Sequence, residues 1–243
     1  MNVLPLKIIA DADTRIPNAV PAAKKLDWLG RLEARIRLEV KRIYDEYTLT
    51  VTEDKPYLLP FSEEQIEWVF FNGNPVPKID LRSAEGLQKG VYRFVFRSLP
   101  EPLTDTVIAD AHAAFSADGI TFSKPHPFET GDLIGISGTA DNNVTATVIG
   151  VNGVMITTDY AAFTQGETSA TVCKVNDRPM EIPEQHPCFG IYEEYLCMEL
   201  ARHLADAERF RLAEDAFTTL WEEYARLWRQ TAPQTPAAKV RGG

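Results

Sequence analysis

The sequence has few cysteines and no pattern among them. Its three cysteines, Cys173, Cys188 and Cys197, form no CxxC pair, and one is left over from any pairing. A disulfide framework and a zinc-ribbon site both need a more regular spacing than this. We therefore expect three free thiols in a protein that is made in a reducing cytoplasm.

Long hydrophobic runs are also missing. No stretch of about 18 consecutive apolar residues occurs, so no transmembrane helix is predicted. The first residues, MNVLPLKIIADAD, lack the basic, apolar and small-residue regions of a secretory signal. With 243 residues, 44% of them hydrophobic, and a mean hydropathy of -0.20, the chain has the length and composition of one large or two small globular domains.

Residue patterns that carry chemistry are equally scarce. The four histidines lie outside any metal-binding motif: His112, His126, His186 and His203. Glu199 and His203 have the i, i+4 spacing of half a metal site, but the same spacing is typical of a surface pair. The glycine-containing segment 131–138 has neither of the two phosphate-loop spacings. We predict no catalytic residue, no metal site and no cofactor.

The net charge of -10 is confined to the middle of the chain. Residues 51–188 carry 9 Lys/Arg and 19 Asp/Glu, whereas the two ends balance at 16 of each sign. Acidic loops of this kind keep a module soluble, or they form a face that repels nucleic acid or meets a basic partner. Sequence-specific DNA binding is not expected, because no basic helix face or zinc-finger spacing occurs.

Three segments have helical periodicity: residues 21–47, 189–204 and 208–230. In the first, apolar residues recur at steps of three and four, namely Leu29, Leu32, Ile36, Val40, Ile43 and Tyr47. Charged residues are expected on its other faces, among them Lys24, Lys25, Arg31, Glu33, Arg35, Arg37, Glu39 and Lys41. Residues 4–16 are expected to form a short strand or turn before this helix.

The chain between these helices has the short alternating runs of β-strands. Segments 65–71 and 77–80 flank the turn sequence Asn72-Gly73-Asn74, which predicts a hairpin, and residues 90–98 alternate like a half-buried antiparallel strand. Five further runs are strand-like: 119–123, 132–138, 146–151, 154–158 and 170–175. Asn152-Gly153 predicts a two-residue hairpin between two of them.

These patterns predict an α+β fold. A small helical bundle, made of the N-terminal helix and two C-terminal helices, is interrupted by an antiparallel β-barrel or sandwich insertion. The predicted domains are a discontinuous helical domain, 1–50 with 188–230, and a β-rich insertion, 51–187. The insertion divides into a hairpin unit, 51–105, and a small barrel-like unit, 118–180. An extended tail, 231–243, follows.

The predicted helices are rich in aromatic residues. At helical spacing such residues form a core, or an interface between subunits, where Tyr and Trp are enriched. The candidates for a subunit interface are Trp28, Tyr192, Tyr195, Trp221 and Trp228.

Three phrases of the sequence resemble known proteins. The segments IPNAVPAAKKLDWLGRLEARIRLEV and HPCFGIYEEYLCMELARHLADAERFRLAEDAFTTLWEEYARLWRQ resemble the opening and closing helices of head–tail connector (adaptor) proteins of tailed bacteriophages and prophages. This resemblance covers residues 15–47 and 186–230, about a third of the chain. The segment FETGDLIGISGTADNNVTATVIGVNGVMITT resembles a small β-module of phage structural proteins. Compact adaptors join their helices by a much shorter connection.

The resemblance implies a virion protein without enzymatic activity. Such a protein forms a ring of twelve copies between the portal protein and a downstream tail or stopper protein, and packaged DNA passes through it. The insertion is then free to contact the capsid. The C-terminal extension of related adaptors reaches the portal, which implies portal-binding roles for Gln230, Pro233, Pro236, Lys239, Val240 and Arg241. Virion localisation at the head–tail interface follows, with no membrane partner.

Two other functions stay open at this point. A tail or baseplate module could recognise a host-surface ligand through its β-insertion, with Trp68, Phe70, Phe71 and Tyr92 as a sugar-binding platform. A cell-wall hydrolase is suggested only by the abundance of carboxylates.

Overall fold

The computed structural model describes residues 4–53, 57–76, 87–104, 106–176 and 178–231. These residues form four α-helices and two antiparallel sheets, so the predicted α+β class is confirmed. Within the same ranges, none of the helices is long and apolar enough to cross a membrane. Segment 77–80, which was predicted as the second strand of a hairpin, lies outside the described residues.

The chain divides into two compact units. One comprises Met1–Glu33 and Glu101–Gln230, and the other comprises Ala34–Pro100 and Thr231–Gly243. These boundaries differ from those of the predicted domains, because the second β-rich segment belongs to the same unit as the helices. Each β-rich segment forms its own sheet, but only the sheet of the first segment lies in the smaller unit.

Four helices belong to the larger unit: α1 (Leu4–Arg15), α2 (Ala22–Arg35), α3 (Ile191–His203) and α4 (Ala207–Thr231). The prediction of a strand or turn over residues 4–16 is wrong. Pro5 lies in the first turn of α1, where its missing N–H costs nothing, and Ile8 and Ala12 are buried on one helical face. The predicted break between the last two helices is confirmed by the positive φ of Ala205, 57°.

The predicted helix over 21–47 is too long. Helix α2 ends at Arg35, and a π-helical turn, Ile36–Lys41, follows it. Arg42 then adopts a left-handed conformation with φ 50°, which stops the helix. The chain continues as strand β1 (Tyr44–Val51), whose Tyr47 fits the helical spacing by coincidence.

The larger unit also contains a seven-stranded sheet. Its strands are β5 (Val107–Asp110), β6 (Ala114–Phe115), β7 (Gly119–Thr121), β8 (Leu133–Ser137), β9 (Thr145–Asn152), β10 (Met155–Thr158) and β11 (Ala170–Lys174). The order is β5-β11-β8-β9-β10-β7-β6. All five predicted strand-like runs are strands, but the described residues close no barrel. The predicted β9–β10 hairpin is confirmed with its turn shifted by one residue, because Asn152 still pairs with Met155.

The smaller unit contains a four-stranded sheet. Its strands are β1, β2 (Ile66–Phe71), β3 (Asn74–Val76) and β4 (Gly90–Arg97), in the order β1-β4-β2-β3. One face carries the core, where Leu49, Val69 and Phe94 are buried and residues of segment 57–61 cover them. The opposite face, which we call the outer face, carries the alternate residues of each strand.

Candidate interaction surfaces

Helix α4 buries only part of its apolar surface. Of its 25 residues, Ala213, Phe217 and Tyr224 are buried. The Phe217 ring lies 5.5 Å from the Tyr195 ring of α3, and the Tyr224 ring lies 5.3 Å from the His186 ring. These three positions form one narrow stripe, which leaves the neighbouring large side chains of α4 partly in solvent.

The exposed apolar part of α4 is substantial. Phe210, Leu220, Trp221, Leu227 and Trp228 are half-buried. Leu212 is 60% exposed, and Leu204, in the turn between α3 and α4, is 45% exposed. We call this set the α4 surface. Phe210, Trp221 and Trp228 lie along one side of the helix, and partly exposed aromatic residues of this kind are typical of a protein contact.

The structure separates the predicted interface residues into two groups. Trp28 and Tyr192 are 6% and 0% exposed, so the chain itself covers their rings. Tyr195, Trp221 and Trp228 remain half-buried and accessible. An interface role for any of the five stays a prediction, but only the second group has surface to offer a partner.

The predicted tail residues are mostly outside the described part of the chain. Gln230 is exposed near the end of α4. Pro233, Pro236, Lys239, Val240 and Arg241 are outside the described residues, and their role stays a prediction.

A buried polar network joins α2, α3 and segment 178–182 within the larger unit. The Glu33 carboxylate, 0% exposed, accepts hydrogen bonds from the Tyr192 hydroxyl, from Arg178 Nη1 at 2.8 Å and from the backbone N–H of Glu181 at 2.9 Å. The Tyr192 oxygen in turn accepts the backbone N–H of Ile182 at 2.9 Å. A buried charge needs such a set of partners to be stable.

Burial governs the titration of this network. It raises the pKa of Glu33, and the hydrogen bonds from Tyr192 and Arg178 counteract part of that rise. Burial, followed by the neighbouring Glu33 charge, raises the pKa of Tyr192 well above its ordinary value. Among the described residues, no cluster of three or more His, Cys, Asp and Glu side chains could hold a metal ion. The hydrogen bonds of the network tie α2, α3 and segment 178–182 together.

A second buried ion pair corrects the expected polar face of α2. Lys25 is only 3% exposed, and its ammonium donates to both Asp13 oxygens of α1, at 2.6 and 2.7 Å. Asn18 also donates to Asp13, at 2.8 Å. Lys25 and Glu33 were expected on the solvent-facing side of the helix, but partners from other segments bury both.

These groups border a half-open cleft between α1 and the β8–β9 hairpin. Its volume is about 570 Å³, and both walls belong to the larger unit. The lining mixes apolar and polar side chains, with Lys25 and Asp13 at one side and Ser137 and Asn143 at the other. Its two lysines already have carboxylate partners, Asp13 and Glu184, so the cleft presents little net charge to a ligand.

The outer face of the four-stranded sheet carries an aromatic pair. The Trp68 ring, 51% exposed, lies 5.3 Å from the Tyr44 ring, 37% exposed. The Arg93 guanidinium lies 4.2 Å from the centre of the Phe70 ring and pairs with Glu46 at 2.9 Å. Such a face combines flat apolar rings with fixed hydrogen-bonding groups.

The predicted platform of four aromatic residues is wrong in half of its members. Trp68 and Phe70 share the outer face, whereas Tyr92 is buried on the core face and Phe71 packs against that core. The physical reason is the two-residue period of a strand, which sends Phe70 and Phe71 to opposite sides. Tyr44, which had not been considered, replaces them beside Trp68.

The sequence could have pointed to few of these residues. Glu33 and Lys25 look like ordinary charged helix positions, because their partners Tyr192 and Asp13 come from other segments. Tyr44 is the exception, because the two-residue alternation of segment 44–51 resembles that of β4 and could have indicated a strand there.

Comparison with known proteins adds no relative. No protein-family model matches the sequence, and no curated protein matches it.

Proposed function

We propose that this chain is a structural assembly protein that forms a ring between a phage portal and the tail. The ring has twelve copies, continues the DNA channel and belongs to the virion. The α4 surface is the observation that carries the proposal. The resemblance of the flanking helices to head–tail adaptors supports the same reading.

The packing of α4 supports an assembly role on physical grounds. An amphipathic helix in a folded protein gains most of its stability from packing its apolar face. Here Trp228 is only half-buried, so further burial by a second molecule is still favourable. Trp and Tyr residues at the centre of an interface contribute most to its binding energy.

The charge distribution suits a channel or a peripheral partner. The excess of acid lies in residues 51–188. Facing the channel, it would let DNA pass without adhering, because like charges repel. Facing outward, it would meet basic surfaces of the tail, stopper or capsid proteins.

The proposal is tested by co-sedimentation with the portal protein encoded in the same genome. We expect the chain to sediment with portal rings at about one copy per portal subunit. Trp228→Ala should abolish co-sedimentation because it removes half-buried apolar surface from the α4 surface. Trp68→Ala, a matched substitution in the smaller unit, should leave it unchanged. A chain that stays monomeric and never sediments with portal would contradict the proposal.

A second candidate function rests on the outer face. The Tyr44–Trp68 pair, with Arg93 and Glu46 beside it, has the chemistry of a carbohydrate contact: rings for the C–H face of a sugar and ionised groups for its hydroxyls. This supports a tail or baseplate module that binds a host-surface glycan. The full chain would then bind a glycan array, and Trp68→Ala rather than Trp228→Ala would remove the signal.

A further inference from the structure

Strand β1 is a long edge of the four-stranded sheet. Its eight residues, Tyr44 to Val51, pair with β4 without a register shift, and no described residue extends the sheet on its other side. The opposite edge, β3, has only three residues and contains Pro75. An edge of this length, roughly 26 Å at 3.3 Å per residue, is a template for another strand.

The hydrogen-bond pattern identifies the backbone groups that point outward. Val91 of β4 exchanges hydrogen bonds with Asn72, accepting its N–H at 2.8 Å and donating to its side chain at 3.0 Å. The N–H and C=O groups of Val91 therefore point away from Thr50, its partner in β1. Along β1, residues whose backbone groups face β4 alternate with residues whose backbone groups face the open edge. The residues whose N–H and C=O groups face the open edge are Tyr44, Glu46, Thr48 and Thr50.

The same four residues lie on the outer face of the sheet and are exposed, whereas Leu49 and Val51 are buried on its core face. The strand, YDEYTLTV, contains no proline, no lysine and no bulge, three devices that keep a natural edge from pairing. Its two charged residues are Asp45 and Glu46. The backbone groups of the edge are therefore accessible to another strand.

We propose that this edge binds residues 237–241, Ala-Ala-Lys-Val-Arg, of a neighbouring copy as a fifth, antiparallel strand. The occupant is assigned to another molecule because no described residue of the same chain pairs with this edge. Segment 237–241 is free of proline, so each of its residues has an N–H to donate. The prolines at 233 and 236 end the pairing on its N-terminal side.

Charge and face fix the register to two possibilities. Residues that pair directly across strands share a face, so Lys239 and Arg241 lie beside the outer-face residues of β1. Arg241 opposite Glu46 places Lys239 opposite Thr48. A shift of two residues places Lys239 opposite Glu46 and Arg241 opposite Tyr44. Each register sets a second base against Glu46, the only acid among the edge residues, beside its existing partner Arg93.

The contact has a consequence for assembly, and in that respect the inference rests on the proposed ring. A tail of one copy on the edge of the next is a head-to-tail contact, and repeated contacts of this kind close into a ring. The tail then joins subunits instead of reaching the portal. The added strand would form backbone hydrogen bonds with β1, and the contact with Glu46 would select its register.

The test mixes variants of the full chain that each carry one added cysteine, so that the two added cysteines can crosslink only between molecules. Ala237→Cys is combined with Thr48→Cys or with Thr50→Cys, the two positions that face it in the two registers, under mild oxidation. The parent chain is the blank, because its three cysteines are buried. We expect one of the mixtures to give a disulfide-linked dimer on a non-reducing gel. Ala237→Cys with Thr121→Cys, an exposed threonine of inner strand β7, should give none.

A charge change sharpens the result. Adding Glu46→Lys to the Thr48→Cys and Thr50→Cys chains should slow crosslinking about fivefold, since it replaces an attractive cross-strand pair by a repulsive one. Glu129→Lys, at an exposed loop position, should leave the rate unchanged.

Three results would overturn the inference. The first is no crosslink in either mixture, and the second is a disulfide-linked dimer of the Thr48→Cys chain in the absence of the Ala237→Cys chain. The third is a crosslinking rate that Glu46→Lys does not change. Rings that stack on portal without the crosslink would overturn this contact and leave the proposed function standing. A crosslink without portal binding would support this contact and contradict the proposed function.

Discussion

The Tyr192 hydroxyl donates a hydrogen bond to the fully buried Glu33 carboxylate across 159 residues of sequence. The bond connects α2 near the start of the chain to α3 near its end. Arg178 and the backbone of Glu181 bind the same carboxylate, so the return of the chain from the seven-stranded sheet is fixed at this point as well. Helices α2 and α3 are therefore tied together by buried polar contacts as well as by apolar packing.

Removing the Tyr192 hydroxyl should destabilise the larger unit in a pH-dependent way. Tyr192→Phe leaves a buried carboxylate with one donor fewer, which costs about 1–3 kcal/mol of unfolding free energy. Burial already raises the pKa of Glu33, and loss of this donor raises it further. A raised carboxyl pKa means that the folded state binds the proton more tightly, so stability falls as pH rises above about 4.5.

The measurement is urea unfolding of both chains at pH 5 and pH 8. The deficit of Tyr192→Phe should be larger at pH 8. Tyr160→Phe, at a half-buried tyrosine in the same unit, serves as the control and should shift stability little at either pH. Equal deficits at the two pH values would mean that the carboxylate is not the cause.

The Asp13–Lys25 pair should respond unequally to loss of either partner. Asp13→Ala leaves the Lys25 ammonium, whose side chain is 4% exposed, buried without its carboxylate partner. This should lower the free energy of unfolding by about 3 kcal/mol. Lys25→Met keeps the buried methylene packing and leaves a carboxylate that is 35% exposed and still bound by Asn18, so it should cost less than about 1.5 kcal/mol. Chemical denaturation measures both, with Asp11→Ala, an exposed carboxylate on the same helix, as the control. A larger loss for Lys25→Met would refute the argument.

His126 should limit stability in mild acid. Both of its ring nitrogens are buried without a hydrogen-bond partner among the described residues, and its ring lies 4.9 Å from that of Phe122. Burial lowers its pKa, so its neutral form contributes stability above about pH 6.5 that is lost as pH falls through the lowered value.

His126→Phe should remove this dependence. We expect about 1 kcal/mol of added stability at pH 7.5, because two unsatisfied polar atoms disappear, and a larger gain at pH 5.5. Thermal unfolding at the two pH values measures the effect. His112→Phe, at an exposed position, is the comparison, and a similar gain there would show that the effect is not specific to His126.

The elements that repeat a local pattern could be predicted from the sequence. Helices α3 and α4, strand β4 and the five strand-like runs each carry their own periodicity, and each was found. The boundary between α2 and β1 could not be placed, because Tyr47 fits the helical stripe and the strand alternation equally well. Helix α1 was missed because a proline near the start of a short apolar run resembles a strand or turn.

The contacts that define the candidate surfaces depend on distant segments. Glu33 and Lys25 look solvent-facing until Tyr192 and Asp13 are brought beside them, and a single sequence does not specify such pairs. The outer face was half predicted, since strand alternation places Trp68 and Phe70 together once β2 is recognised. The β1 edge follows only from the order of strands in the sheet, which is a property of long-range pairing.

The most direct test of the central claim is negative-stain electron microscopy of the chain mixed with its portal protein. We expect a second ring stacked coaxially on each portal ring, present for Trp68→Ala and absent for Trp228→Ala. Bare portal rings in every mixture, at protein concentrations well above those in the sedimentation experiment, would contradict it.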